Sequence, residues 1–172
     1  AAKIRWFRFD TQRGPTAGRN RGVHEADTPL VLFLDDDTVW LSTDILDMAV
    51  RAITADPTIF AVAFAQAGAD GAALPLAAQP APVTQPSYVA SYIGFAHLVR
   101  RDAFLTLGGY RAQLIIHGEE RELCLRALDA GWRVVYLPDA RVAHLADPAG
   151  REMRHYLHLT VRNGVLASIY ND

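Results

Sequence analysis

Hydrophobic positions recur along the chain in two spacings, and each spacing predicts a different element. Alternating or continuous apolar runs bounded by Pro, Gly or Asp predict strands, whereas apolar positions three and four residues apart predict helices. The predicted strands are residues 3–9, 30–34, 59–64, 93–99, 132–137 and 141–144. The predicted helices are residues 15–26, 42–55, 102–107, 119–130 and 151–170. Because strands and helices alternate, we expect an α/β fold with a mostly parallel central sheet and flanking helices.

Two segments of this pattern carry further expectations. Residues 30–34 (LVLFL) form a continuous apolar run, which is typical of a strand buried on both faces. Residues 67–86 are rich in Ala, Gly and Gln and contain four prolines, so we expect a long mobile loop there. The chain is therefore expected to form one domain over residues 1–172, in which a loop at 67–87 separates residues 1–66 from residues 88–172.

Composition and charge exclude several classes of protein. The 172 residues carry 17 Lys+Arg and 19 Asp+Glu, and a net charge of −2 provides no basic field for nucleic acid. No apolar stretch approaches the roughly 20 residues that a membrane-spanning helix requires, so no transmembrane segment is expected. The single cysteine, Cys124, cannot form a disulfide within the chain and is consistent with a reducing compartment.

An acidic triplet, Asp35-Asp36-Asp37, directly follows the apolar run at residues 30–34. Residues two apart on an extended strand point to the same side, so Asp35 and Asp37 can converge on one cation. The carboxyl ends of strands are also where α/β proteins bind ligands. A single acidic residue there would be explained by a strand end and a turn, but three in succession favour a divalent metal site.

A second acidic candidate is the pair Glu119-Glu120 at the start of the predicted helix 119–130. The apolar face of this helix consists of Leu123, Cys124 and Ala127. Glu120 is expected to share that face and look toward the protein, Glu119 to lie off it, and Glu122 to pair with Arg126 at the surface. A carboxylate on a buried face beside a cleft can have its pKa raised toward that of a general base. The alternative is that both acids simply favour a helix N-terminus.

Two further residues are placed near these acids by their position in the pattern. His144 ends the predicted strand 141–144, where it is either a hydrogen-bonded structural histidine or a ligand. Trp40 directly follows the acidic triplet and is expected to lie near a bound molecule.

In order along nearly the whole chain, these segments resemble the family 2 glycosyltransferases, whose nucleotide-sugar-binding fold is called GT-A. The matching segments are residues 14–20 (GPTAGRN), 31–37 (VLFLDDD), 94–95 (GF), 99–104 (VRRDAF), 108–110 (GGY), 118–126 (GEERELCLR), 130–132 (AGW), 136–144 (YLPDARVAH) and 162–163 (RN). Each motif alone is weak, but their order and spacing together are specific. The second acid of the pair is glutamate here, where the family more commonly has aspartate.

The resemblance implies a role for each candidate site residue. The implied roles are metal binding for Asp37 and His144, donor binding for Asp35, Asp36, Arg19 and Asn20, and catalysis for Glu120 with Glu119. The metal is expected to be Mn²⁺ or Mg²⁺ on the diphosphate of the donor, and Glu120 is expected to be the general base. Residues 1–66 then form part of the donor-nucleotide half, and residues 88–172 form the acceptor and catalytic half.

The resemblance also implies a reaction: inverting transfer of a sugar from a nucleotide-sugar donor to a hydroxyl of a glycan, a lipid-linked or a small-molecule acceptor. No Q-x-x-R-W motif of processive synthases occurs, so we expect single transfers. A cytoplasmic location, free or at the inner membrane face, is expected. The family pattern begins with two strand–helix units that have no counterpart in this sequence, which we expect to be N-terminally incomplete.

Two other functions remain open at the level of sequence. Residues 34–39 (LDDDTV) also fit the D-x-D-x-T strand end of haloacid-dehalogenase-like phosphatases, with Asp35 as nucleophile and Asp37 as acid/base. That chemistry needs a downstream lysine, whereas Lys3 is the only lysine in the chain. The second alternative is a non-catalytic sugar-nucleotide-binding domain, which only a turnover assay would distinguish from an enzyme.

Overall fold

The computed structural model describes residues 4–145 and 153–171, with residue 155 described by its backbone alone. The helices are α1 (Gly14–Glu25), α2 (Ile45–Ala55), α3 (Arg101–Thr106), α4 (Glu119–Asp129) and α5 (Met153–Tyr170). The strands are β1 (Leu30–Leu34), β2 (Thr38–Trp40), β3 (Ile59–Ala67), β4 (Ser87–Val89), β5 (Ala96–Arg100) and β6 (Arg133–His144). The predicted starts of the first strand at residue 3 and of the last helix at residues 151–152 lie outside the described residues.

The six strands form one sheet in the order β1-β5-β3-β6-β2, with β4 paired to β6. The predicted α/β fold, a central sheet with flanking helices, is confirmed. The expectation of mostly parallel strands is wrong for the described sheet, because only β3 and β6 run parallel. Strand β5 follows a long irregular segment rather than a crossover helix and enters the sheet antiparallel to both β1 and β3, and the short strands β2 and β4 pair antiparallel with β6.

Apolar side chains cover both faces of the sheet and so form two cores. On one face α2 buries Ile45, Ala49 and Ile53 against the strands. On the other face, residues of α1, α3 and α4 such as Val23 and Phe104 pack on the sheet. The two layers hold the strand ends rigidly, which positions the polar residues that follow β1 and β6.

Two predicted features of the first strands are wrong. Residues 4–9 form no strand, and Trp6 in this segment is 91% exposed. Their alternating pattern finds no partner, since the segment runs along α1, where the Arg21 guanidinium lies 5.2 Å from the Phe7 ring centroid. Strand β1 is not buried on both faces, because it lies at the edge of the described sheet and only Phe33 is buried.

Strand β3 extends to Ala67, and the proline-rich residues 68–86 contain no regular element beyond one 3₁₀ turn, Leu76–Ala78. The segment is tied to β3 by a buried glutamine, Gln79. Its side-chain oxygen accepts from the backbone N–H of Gln66, and its side-chain nitrogen donates to the backbone oxygen of Gln66. The path of this long segment is therefore determined by hydrogen bonds at its middle, close to the end of β3.

Within the part of the chain that the structure describes, no helix has the length and apolar character needed to cross a membrane.

Candidate active site

The carboxyl ends of β1 and β6 lie at the same end of the sheet, and the turn after β1 leads into β2, which pairs with β6. The backbone N–H of Asp35 donates to the backbone oxygen of Phe95 over 2.8 Å, and the backbone N–H of Leu145 donates to the backbone oxygen of Asp37 over 2.8 Å. Strand β2 pairs antiparallel with β6, which places Thr38 opposite His144. The acidic triplet and the histidine, 107 residues apart from Asp37 to His144, are thereby brought together by the backbone.

Three side chains at this edge can hold a metal ion. One ligand atom from each of Asp35, Asp37 and His144 lies within 4.8 Å of the others. The Nε2 atom of His144 is 3.3 Å from Oδ1 of Asp37, and that oxygen is buried without a hydrogen-bond partner. Carboxylate and imidazole ligands suit Mn²⁺, and carboxylates suit Mg²⁺, so the residues present fit a divalent cation.

The ring of His144 is oriented for this role by a residue that the motifs did not single out, Gln66. The Nε2 atom of Gln66 donates to the backbone oxygen of Ala78 over 2.9 Å, which directs its Oε1 toward His144. The distance from that oxygen to Nδ1 of His144 is 2.8 Å. Because an amide oxygen only accepts, Nδ1 carries a proton, and in the neutral imidazole Nε2 then presents a lone pair toward Asp37. Phe95 stacks on the ring with centroids 5.1 Å apart.

Arg19 connects the acidic triplet with the acidic pair. Its guanidinium lies 3.0 Å from Oδ1 of Asp35, 3.2 Å from Oε1 of Glu119 and 3.5 Å from Oε1 of Glu120. It also donates to the backbone oxygen of Gly94 over 3.0 Å. Its side chain is only 12% exposed, so these interactions are poorly screened by solvent. One cation thus neutralises part of a site that holds several carboxylates.

The close approach of these groups requires a glycine at position 94. A Cβ atom there would lie 2.0 Å from Oε1 of Glu120 and 3.0 Å from two nitrogens of Arg19. Real Cβ atoms do not come this close to other heavy atoms, so any side chain at Gly94 would displace Glu120 or Arg19.

Both members of the acidic pair lie toward the protein interior. The side chain of Glu120 is 17% exposed, as expected for a residue on the apolar face, but that of Glu119 is only 1% exposed. The prediction that Glu119 lies off the buried face is wrong. It precedes Leu123 by four residues and therefore lies one helical turn away on the same face.

Burial changes the protonation of both acids. It raises the pKa of the Glu119 carboxyl to about 8, and the nearby charge of Glu120 adds to the increase. Burial also raises the pKa of Glu120, while Arg19 opposes the increase. At neutral pH the pair therefore holds one proton more readily than two exposed glutamates would, and a carboxyl poised in this way can exchange protons with a bound hydroxyl.

The remaining predicted residues lie outside the cleft. Asn20 uses its amide to hold the backbone of Tyr110 through two hydrogen bonds of 2.7 and 2.9 Å, and Asp36 is exposed. Trp40 packs against Phe64 on the α2 side of the sheet.

The predicted pairing of Glu122 with Arg126 is present at 2.5 Å, but it is not a surface pair. The side chain of Glu122 is fully buried, and Arg111 also contacts it at 2.6 Å. Arg126 also donates to the backbone oxygens of Leu107 and Gly109.

A cleft with a volume of about 610 Å³ is lined by the three possible metal ligands, Asp35, Asp37 and His144, together with the acidic pair, Glu119 and Glu120. The site can therefore hold a cation with an anionic group and place a general base nearby.

The chain matches the model of the family "Glycosyltransferase like family 2" over residues 2–164. The chain belongs to this family. A glycosyltransferase from Mycobacterium tuberculosis (strain CDC 1551 / Oshkosh), named "Pre-mycofactocin glycosyltransferase", is 34% identical over 149 residues, which are 77% of this chain and 30% of that protein. This chain thus spans about a third of the length of that family 2 relative. The match favours neither the phosphatase nor the non-catalytic alternative.

Two solved glycosyltransferase structures share the fold. The mannosyltransferase PcManGT from Pyrobaculum calidifontis, in complex with GDP-Man and Mn²⁺, has a TM-score of 0.64 and 21% identity over 82% of this chain and 39% of its own. GalNAc-T7 with UDP, GalNAc and Mn²⁺ has a TM-score of 0.68 and 19% identity over 89% of this chain and 35% of its own. The GT-A fold expected from the motifs is confirmed.

Proposed function

We propose that this family 2 glycosyltransferase chain binds a nucleotide-sugar donor through a divalent metal and transfers the sugar to an acceptor hydroxyl with inversion. The observation that carries the proposal is the buried, unpartnered Oδ1 of Asp37, which faces Nε2 of His144 beside Asp35. A carboxylate oxygen and an imidazole nitrogen that face each other in this way can both ligate one divalent cation. The Mn²⁺ complexes of PcManGT and GalNAc-T7 support this assignment.

In the proposed reaction, Asp35, Asp37 and His144 would hold a divalent metal at the diphosphate end of the donor. A bound Mn²⁺ or Mg²⁺ supplies positive charge to the diphosphate leaving group. Glu120, which is the more exposed acid of the pair, accepts the proton of the acceptor hydroxyl as that oxygen bonds to the anomeric carbon. The bond from this carbon to the phosphate oxygen breaks at the same time, and no covalent sugar–protein intermediate forms.

Glu119 and Arg19 position the base in this proposal. Glu119 is nearly inaccessible to an acceptor and contacts Arg19, which in turn lies 3.5 Å from Glu120. GDP-mannose and uridine diphosphate sugars are the first donors to test, since GDP-Man and UDP are bound by the neighbours. The acceptor class stays open among glycans, lipid-linked and small-molecule hydroxyls, with pre-mycofactocin as a candidate because of the relative's name.

The experiment measures release of nucleoside diphosphate from these donors, and binding of the nucleoside diphosphate, with Mn²⁺ or with a chelator. Asp37→Ala should abolish the metal-dependent part of binding. Glu120→Gln should keep it and reduce kcat about 10²- to 10⁴-fold. Equal binding with and without Mn²⁺ would contradict the metal role. A loss of kcat in Glu119→Gln but not in Glu120→Gln would assign the base to the other glutamate.

A further inference from the structure

A second cavity, with a volume of about 390 Å³, forms a groove between α4 and α5. It shares His117, Gly118, Arg121 and Thr160 with the cleft that contains the acidic pair. The groove is therefore continuous with the cleft that contains the acidic pair. A molecule that presents a hydroxyl to Glu120 can extend into it without leaving the protein surface.

The shape of the groove suits an extended chain. The wall formed by α5 carries small side chains at Gly164, Ala167 and Ser168, which leave space beside the helix. The lining runs from Thr160 to Asn171, a distance of roughly 16 Å at the rise of an α-helix. About five residues of an extended peptide, or a linear molecule of similar length, span that distance.

The charge of the groove comes from one residue, Arg121. No carboxylate is among the described residues that line it. The Thr160 hydroxyl, the Ser168 hydroxyl and the Asn171 amide each donate to the backbone oxygen of the residue four positions earlier. The amide of Asn163 donates to the backbone oxygens of residues 114, 116 and 117. Arg121 is exposed, and within residues 4–145 and 153–171 no ion pair or hydrogen bond engages its guanidinium.

We propose that this groove binds the part of the acceptor beyond the reacting hydroxyl, and that Arg121 pairs there with an anionic group of the acceptor, a carboxylate or a phosphate. The inference rests on the proposed glycosyl transfer and specifies its acceptor as an extended anionic molecule. A guanidinium offers several donors to an oxyanion, and this one faces open space beside the base rather than a carboxylate of the protein.

Two variants and one control separate the contributions of charge and shape. Arg121→Gln removes the charge. Gly164→Leu fills the groove, because a Cβ at Gly164 meets nothing within 4 Å and leucine favours a helix. Gly22→Leu is the matched control, since Gly22 lies in α1, also meets nothing within 4 Å and is remote from the groove.

The probes are the peptide acetyl-Ser-Ala-Ala as the free acid, the same peptide as the amide, and acetyl-Ser-Ala-phosphoserine amide. Binding is measured by NMR without donor, and the KM for transfer is measured with donor. We expect the free acid or the phosphopeptide to bind about tenfold more tightly than the neutral amide, and the better of the two identifies the anion. Arg121→Gln should remove this discrimination, Gly164→Leu should weaken binding of all three, and Gly22→Leu should behave as the wild type.

Equal binding of charged and neutral peptides, or no binding at all, would overturn the inference. So would an Arg121→Gln variant that raises the donor KM and keeps the discrimination, because Arg121 would then serve the donor. Failure of the proposed function is a different result: the wild type would release no nucleoside diphosphate from any donor, while the NMR binding still reports on the groove.

Discussion

The protonation of Glu119 should make the stability of this protein depend on pH in a direction unusual for a glutamate. The carboxyl is 1% exposed, one oxygen contacts Arg19 at 3.2 Å, and the other oxygen is buried without a partner. Burial raises its pKa from the ordinary 4.5 to about 8. The folded state therefore binds the proton more tightly than the unfolded state, and stability falls as pH rises from about 4.5 to about 8.

The magnitude follows from this displacement. Each pH unit between the two pKa values is worth about 1.36 kcal/mol, so the full effect is about 3 to 5 kcal/mol lost between the two ends of the range. Solvent screening reduces it little, because the side chain is almost completely buried. Such a loss is a large part of the roughly 5 to 15 kcal/mol by which proteins of this size are stable.

The perturbation that tests this reasoning is Glu119→Gln, which keeps the shape of the side chain and removes the titration. The free energy of unfolding is measured by urea denaturation between pH 5 and pH 9 with chelator present, and for the wild type it should decline as the pH rises. Over this range the variant should lose about 3 to 5 kcal/mol less stability than the wild type. Glu25→Gln, at the surface ion pair with Arg21, is the control and should follow the wild type. Parallel curves for the wild type and Glu119→Gln would refute the assignment of a raised pKa.

Three other substitutions test the contacts of the site. Gln66→Leu removes the hydrogen bond that orients His144, the proposed metal ligand. The Kd for Mn²⁺, measured by calorimetric titration in the presence of nucleoside diphosphate, should rise about 10- to 100-fold. Gly94→Ala places a methyl group 2.0 Å from the Glu120 carboxylate, so kcat should fall at least about tenfold while circular dichroism shows a folded protein. Glu122→Gln leaves two arginines without their buried partner. The free energy of unfolding, measured in urea, should fall by about 3 kcal/mol or more. An unchanged value would indicate that the ion pair is exposed to solvent.

The sequence by itself determined most elements and the main site residues. Helices α1, α2 and α4 begin and end within a few residues of the predicted bounds, because local spacing of apolar residues and breakers such as Pro57 and Gly131 decides them. Asp35 and Asp37 are also visible locally as acids after an apolar run, although they lie in the turn after β1 and not on an extended strand as predicted. The order of the motifs was sufficient to indicate the family, which the family match then confirmed.

The tertiary structure alone decided which groups meet and how deeply they are buried. Strand order is a long-range property, so the antiparallel entry of β5 and the edge position of β1 could not be predicted from alternation of elements. Gln66 was visible only as a polar residue within an apolar run, and its role depends on His144, 78 residues later. Glu119 shows the same limit: its position on the helix allows a buried face, but its raised pKa comes from burial by the folded chain and from the charge of Glu120, against which Arg19 acts. Burial and pKa depend on neighbours that are distant in the chain, and local patterns do not contain them.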